Sequence, residues 1–246
     1  MCHAGVMSSR LVVLVHGAWH GAWCWAPLQT ELDRRGVASL AVDLPGHGST
    51  GTSFTDLHGD AQAVIDVIAA QAALGRTAPI LVGHSYGGAV ITEVASRHGD
   101  VAHLVYLAAF ALEKDETVMS ALTSMPRREV GLSAAMRPGD DGTSVLDPAT
   151  AVPALYGACD PTVAAAAVAR LSPQPMATMV QPVTGSPLAT VPSTYVVCTQ
   201  DDAVHPDHQV IMATRCREVV TFDTDHSPFA SMPAQTADLI ARIARS

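Results

Sequence analysis

The chain has 246 residues, 48% of them hydrophobic and 15% charged, enough apolar material for one large core and too little polarity for a disordered chain. The 23 Asp and Glu against 14 Lys and Arg give a net charge of −9. With no basic stripe, that balance argues against nucleic-acid binding and weakly against strongly anionic substrates.

Strands and helices alternate along the first half. Residues 11–15 are a short aliphatic run, as expected of a strand buried on both faces of a parallel sheet, and they lead into His16-Gly17-Ala18-Trp19-His20-Gly21. A helix is predicted over 25–35, closed by Gly36. A strand over 38–42 runs into Asp43-Leu44-Pro45-Gly46-His47-Gly48. Apolar residues at helical spacing follow over 57–74, with Gly75 as a stop signal. Residues 80–82 read as strand, 89–97 as helix and 101–107 as strand. The class is α/β with a mostly parallel sheet.

The alternation breaks over residues 112–188, which hold no convincing aliphatic strand. Helix-like pieces at 117–122 and 162–170 are separated by Pro, Gly and Ser. So long a stretch inside a compact domain is usually functional, and it is expected to be a mainly helical cap inserted over the carboxyl edge of the sheet. The expected organisation is a core in two parts, 1–111 and 189–246, with the cap at 112–188. Alternation resumes with a strand at 194–198, a helix at 206–214, a strand at 218–222 and a closing helix at 233–245.

Gly83-His84-Ser85-Tyr86-Gly87-Gly88 lies between a strand and a helix. Strand, G-x-S-x-G, helix is the nucleophile elbow of α/β-hydrolases, a strained turn that lifts a serine hydroxyl clear of the sheet edge. A serine needs a base, an acid to orient that base, and donors for the developing oxyanion. Thr199-Gln200-Asp201-Asp202 follows one late strand, and Asp223-Thr224-Asp225-His226 follows the last. Chain order is therefore Ser85, then Asp201 or Asp202, then His226, the order this fold requires. Oxyanion donors are expected from the N–H of Tyr86, after the nucleophile, and of Ala18, in the loop after the first strand. His84 reads as a structural neighbour of the serine. His205 and His208 lack further ligands at metal spacing and read as the start of a surface helix, so no metal site is expected.

Five scattered cysteines without C-x-x-C spacing read as reduced thiols, so a cytoplasmic location is expected. Residues 1–9 lack the apolar and basic regions of a signal peptide. No segment reaches the ~20 apolar residues of a membrane span.

Val13 to Trp25, Gly83 to Gly88, Cys198-Thr199-Gln200-Asp201 and Asp225-His226, with Pro206 and Gln209 in register, resemble the plant methylesterase and hydroxynitrile lyase group and its bacterial relatives. The resemblance covers nearly the whole chain outside the cap. It implies a cap-bearing α/β-hydrolase of the carboxylesterase type, with no cofactor, acting on esters of small, often aromatic or terpenoid-like acids. It favours Asp201 over Asp202. His208 stands where that group usually has an aromatic ring, His205 where an aliphatic residue is common, and Ser227 where its esterases carry methionine, so these three bear on pocket shape. Candidate substrate contacts are Gly17, Met119, Leu122, Met125, Leu155, Tyr156 and Met176. The expected partner is a small-molecule ester, with no nucleic acid and no membrane; a homodimer is allowed for.

Two rival readings stand beside ester hydrolysis. One is a lyase that uses the same triad for C–C cleavage of cyanohydrins. The lyases that the chain resembles carry a threonine in place of Gly17 and a lysine after the catalytic histidine, whereas here Ser227 follows His226 and the one lysine is Lys114. The other is a ligand receptor on a hydrolase fold.

Overall fold

The computed structural model describes residues 10–49 and 51–246. The reading of residues 1–9 as lacking a signal peptide, and Cys2, lie outside the described residues. The core elements, in chain order, are β1 (Val12–Val15), α1 (Ala26–Arg34), β2 (Ser39–Val42), α2 (Leu57–Ala72), β3 (Ile80–His84), α3 (Gly87–His98) and β4 (His103–Leu107). An insert then supplies α4 (Val118–Ser124), α5 (Gly131–Ala135), β5 (Met136–Pro138), β6 (Thr143–Leu146), α6 (Pro148–Tyr156), α7 (Pro161–Val168) and β7 (Gln174–Pro175). The core closes with β8 (Ser193–Cys198), α8 (Pro206–Ala213), β9 (Glu218–Phe222), α9 (Pro228–Ser231) and α10 (Pro233–Ala244).

The six core strands form one sheet in the order β2-β1-β3-β4-β8-β9, parallel throughout. The period-2 alternation of a strand sorts its side chains onto two faces. Val13, Val15, Leu81 and Leu104 pack with Leu57, Val64 and Ile68 of α2 and Val90 and Val94 of α3. Val12, Leu14, Ile80 and Val82 pack on the other face with Leu28 and Leu32 of α1 and Ile240 and Ile243 of α10. Each fully buried aliphatic side chain is worth about 1.5–3 kcal/mol, which is why β1 and the first three residues of β3 read as unbroken aliphatic runs. Because the strands are parallel, their carboxyl ends gather at one edge. The loops bearing Gly17 and Ala18, Ser85, Asp201 and His226 leave from that edge.

The insert departs from expectation in one respect. Besides its helices it holds a small antiparallel sheet, β5-β6-β7. Its strands are only three, four and two residues long and carry Arg137, Pro138, Ser144 and Pro175, so no aliphatic run announces them. The signal that was available is Asp141-Gly142, whose φ values of 52° and 74° form the tight hairpin turn that Asp-Gly favours. The insert also divides between the two faces of the sheet: Val118 and Ala121 of α4 join the α2–α3 side, while Leu155, Tyr156 and Val168 of α6 and α7 join the α1–α10 side.

Candidate active site

Ser85 sits between β3 and α3 with φ 50°, a left-handed conformation that a non-glycine residue adopts at a cost of about 1–3 kcal/mol and that clusters at functional sites. The turn is pinned by Ser85 N donating to Leu107 O at 3.3 Å, and by Gly88 N and Phe110 N donating to Ser85 O at 3.0 and 3.1 Å. It is also compressed: a Cβ on Gly87 would stand 2.4 Å from Val15 O. The glycine is what lets α3 begin directly against β1.

Beyond β8, Asp201 is held by four donors. Its Oδ1 accepts from Ala203 N at 2.7 Å and Val204 N at 2.9 Å. Its Oδ2 accepts from Gln209 Nε2 and His226 Nδ1, each at 2.7 Å. His226 is 2% exposed and Asp201 5%, so the pair is shielded from water. With Nδ1 committed to the carboxylate, Nε2 is the ring atom left to exchange a proton. Asp202 points elsewhere: its Oδ1 accepts from Gly131 N at 2.7 Å and its backbone O from Leu132 N at 3.0 Å, tying the insert to the loop after β8. Asp225 accepts from Ala158 N at 2.9 Å, Ser227 N at 3.1 Å and Ser231 Oγ at 2.9 Å, which fixes the loop that carries His226.

Buried neutral histidines brace the opposite wall. His16 Nδ1 donates to Gly17 O at 2.8 Å while its Nε2 accepts from Leu44 N at 3.1 Å. His20 Nδ1 donates to Ala18 O at 2.7 Å while its Nε2 accepts from the Tyr156 hydroxyl at 2.7 Å. Each ring needs one donor and one acceptor nitrogen, the pattern of neutral imidazole. Burial pushes His16 down to about 3 and His20 to about 4, so both stay uncharged at neutral pH. His84 lies against the loop that carries His226: its Nε2 donates to His226 O at 2.8 Å and its ring is 4.5 Å from that of His226. Burial, and then the neighbouring His226, hold His84 well below its ordinary value.

A cavity of about 110 Å³ opens beside Ser85. It brings together Ala18, Tyr86, Met119, Leu122 and Met176 from the sequence-level set, and adds Trp19, Phe110, Leu132, Met136 and Met179. Apart from Trp19, which lies in the loop motif after the first strand, the last group carried no motif, and only the fold converges them. Four of the expected contacts, Leu155, Tyr156, Met125 and Gly17, are not among the residues lining this cavity. Leu155 and Tyr156 do not line this cavity, because α6 packs them into the core on the α1–α10 side of the sheet, where Tyr156 bonds His20. Met125 lines a separate outer groove of about 450 Å³ together with Arg127, Arg128, His205 and His208. The groove shares Leu122, Leu132, Met136 and Ala203 with the inner cavity. Gly17 packs under the serine rather than lining the cavity: a Cβ there would lie 2.8 Å from His84 Nδ1 and 3.0 Å from Ser85 Cβ.

The remaining polar candidates take local roles. His205 caps α8 by accepting from Asp207 N at 3.1 Å. His208, expected at the surface, is 6% exposed, with its Nε2 donating to Pro126 O at 2.8 Å. Ser227 is buried with its Oγ unpartnered. Among the described residues, no group of three or more His, Cys, Asp or Glu is arranged to hold a metal.

A sequence profile described as "Alpha/beta hydrolase family" matches residues 12–239. The chain belongs to the α/β hydrolase family. This hydrolase is 30% identical over 253 residues to the α/β hydrolase nvfD of Aspergillus novofumigatus, covering 98% of this chain and 97% of that protein. It is 29% identical to methylesterase 7 of Arabidopsis thaliana, covering 96% of this chain and 97% of that one. Its fold is also that of a pyrethroid hydrolase from Sphingobium faniae JZ-2, at TM-score 0.79 and 23% identity over 96% of this chain and 97% of that one. Among the described residues, no helix is long and apolar enough to cross a membrane.

Proposed function

We propose that this hydrolase cleaves carboxylic esters through an acyl-enzyme, with Ser85 as nucleophile, His226 as general base, Asp201 as the acid that orients it, and the N–H groups of Ala18 and Tyr86 as oxyanion donors. The observation that carries the proposal is the buried Asp201–His226 pair at 2.7 Å on the same sheet edge as a strained Ser85. His226 Nε2 takes the proton of Ser85 Oγ as Oγ attacks the ester carbonyl carbon. The tetrahedral oxyanion is held by the two backbone donors. Collapse breaks the C–O bond to the alcohol, which leaves with the proton from His226. A water, deprotonated by His226, then attacks the acyl-enzyme, and its collapse returns the proton to Ser85 and frees the acid.

The inner cavity is smaller than the ~300–1,000 Å³ that encloses a drug-sized ligand. It therefore suits one apolar arm of the ester, with the other arm lying along the outer groove. Residues 112–188 form the cap in this proposal, since that insert supplies half of the residues lining the inner cavity and most of those lining the outer groove. A cytoplasmic location belongs to the same proposal, supported by Cys24, Cys159, Cys198 and Cys216 all being free thiols. Cyanohydrin cleavage is disfavoured because Gly17 has no room for a hydroxyl-bearing side chain and, among the described residues, no cation lines the inner cavity to meet a leaving cyanide.

A fluorophosphonate probe with tryptic mapping, alongside a panel of p-nitrophenyl and methyl esters of graded acyl size, tests the assignment. Label on Ser85 and turnover that falls by about 10⁴ in Ser85→Ala are expected. Near-native turnover in a folded Ser85→Ala protein overturns it, as does Ser85-dependent cyanide release from mandelonitrile with no ester hydrolysis.

A further inference from the structure

Trp19, next to the proposed oxyanion donor Ala18, has φ 63°, a left-handed backbone that is a genuine outlier for a bulky aromatic residue. It is the third residue of a turn closed by His20 N donating to Gly17 O at 3.3 Å. A positive φ at that position is what a type II turn requires, and glycine normally supplies it. Here the insert supplies the restraint instead. Trp19 N donates to Gln174 Oε1 at 3.2 Å. Trp19 Nε1 donates to Ser144 O and Oγ, each at 3.2 Å. Trp19 O accepts from Ser172 N at 2.8 Å. Every polar atom of Trp19 is thus bonded to the insert.

The partners are themselves fixed. Ser144 of β6 pairs with Gln174 of β7. Gln174 Nε2 donates to Thr178 Oγ1 at 3.0 Å, which sets the amide so that its oxygen faces Trp19. Gln174 and Thr178 are each 1% exposed and Ser144 is 4%. The peptide between Ala18 and Trp19 is therefore gripped at both ends, its N–H by Gln174 from the insert and its oxygen by His20 Nδ1 at 2.7 Å from the core. That peptide is the one that flips when a type II turn relaxes to type I, and it adjoins the peptide that carries the Ala18 N–H.

We propose that Gln174 is a positioning residue: by holding Trp19 N–H it locks the Gly17–His20 turn in the form that aims Ala18 N–H at the oxyanion, so the oxyanion hole is complete only while the cap sheet is docked. The proposal rests on Ser85 as nucleophile and Ala18 as oxyanion donor. Gln174 does not line the inner cavity, so its effect is expected on kcat rather than on substrate binding.

The test compares Gln174→Leu, which removes the acceptor, with Gln174→Glu, which keeps an oxygen for Trp19 N–H, on the best p-nitrophenyl ester, with Ser85→Ala in parallel. Inhibition by a boronic acid, which forms a tetrahedral adduct on the serine, is measured beside inhibition by the product carboxylate. Gln174→Leu is expected to lower kcat by about 10-fold or more, a fraction of the ~10²–10³ lost with a whole donor. Boronate affinity should fall in parallel, with KM and product inhibition within about 3-fold, and Gln174→Glu should recover most of the loss. Wild-type kcat in Gln174→Leu overturns the proposal, as does equal impairment of both variants carried mainly by KM. If Gln174→Leu does not fold by near-UV circular dichroism, Gln174→Met takes its place; failure of both makes Gln174 structural and also overturns it. An active Ser85→Ala protein would instead remove the nucleophile assignment beneath it.

Discussion

Gln209→Leu probes how the site's acid is mounted. Gln209 is fully buried and makes three bonds: Nε2 to Asp201 Oδ2 and to Val204 O, each at 2.7 Å, and Oε1 from Cys198 N at 2.9 Å. A backbone N–H can only donate, so the amide has one orientation. Leucine conserves the approximate volume and removes all three bonds. The contact with the carboxylate is worth about 1.5–3 kcal/mol, and Cys198 N and Val204 O, left buried without this partner, cost about 1–3 kcal/mol each. Together these come to about 3.5–9 kcal/mol, against a typical total stability of about 5–15 kcal/mol. For a chain of this size that lowers Tm by about 10 °C or more. Activity should suffer less: Asp201 keeps His226 Nδ1 on Oδ2 and the Ala203 and Val204 N–H groups on Oδ1, so kcat of the folded fraction should fall by about 10-fold, far short of the ~10⁴ that follows loss of the acid's role. Urea and thermal melts with kcat measured well below Tm make the comparison. A Gln209→Leu protein within about 1 kcal/mol of wild type would refute the idea that this amide bears on the strand end.

The two adjacent acids should separate cleanly. Asp201→Asn lowers kcat by about 10⁴, whereas Asp202→Asn, which loses charge only at Gly131 N, stays within about 10-fold and costs about 1 kcal/mol of stability; the reverse ranking in ester assays would show that the wrong acid has been assigned. Gly17→Thr should lower kcat/KM by at least about 10-fold, because its Cβ meets His84 Nδ1 and Ser85 Cβ, and it should gain no cyanohydrin cleavage; unchanged kcat/KM would mean that the loop yields freely. Stability should also fall on mild acidification. Burial lowers His16 to about 3 and His20 and His47 to about 4, so below about pH 6.5 the unfolded chain takes up protons that the folded chain refuses. The loss grows from about pH 6.5 down to 4, at about 2–3 kcal/mol for each of His20 and His47. Asp60, raised to about 6 mainly by burial, works in the opposite direction and offsets only about 2 kcal/mol of it. Urea midpoints at pH 7.5 and 4.5 measure the difference; a higher midpoint at pH 4.5 would contradict the neutral-histidine network.

The parallel sheet was legible because burial on both faces forces aliphatic residues into β1, β3, β4 and β8 whatever their neighbours are. The elbow was legible because a turn that brings Gly87 within 2.4 Å of another strand's carbonyl, measured from where its Cβ would be, demands glycine at a set spacing from the serine. Such constraints act over a few consecutive residues, so the chain states them openly. The order of serine, acid and histidine follows from the succession of strands. The insert's small antiparallel sheet was not legible as aliphatic pattern, since strands of two to four residues gain their stability from pairing and not from apolar content.

The lining of the cavity was the least legible part. Leu155 and Tyr156 are large, mainly apolar side chains of the insert, as Met119 and Leu122 are, and nothing local tells which face of the sheet α6 will cover. The choice between Asp201 and Asp202 is of the same kind: two neighbouring carboxylates with identical chemistry, separated by which of them meets His226 and which meets Gly131 across the folded chain. Trp19 is the clearest case. Its left-handed backbone contradicts its own preference, and its polar atoms are held by Ser144, Ser172 and Gln174, more than 100 positions away in the chain. By itself the sequence determined which strands are buried, where the sharp turn falls and in what order the reactive groups arrive, because steric and solvation constraints on neighbouring residues suffice for that. Which side chains meet one another was decided only by the tertiary structure, because hydrogen bonding and packing between distant segments depend on where the whole chain goes.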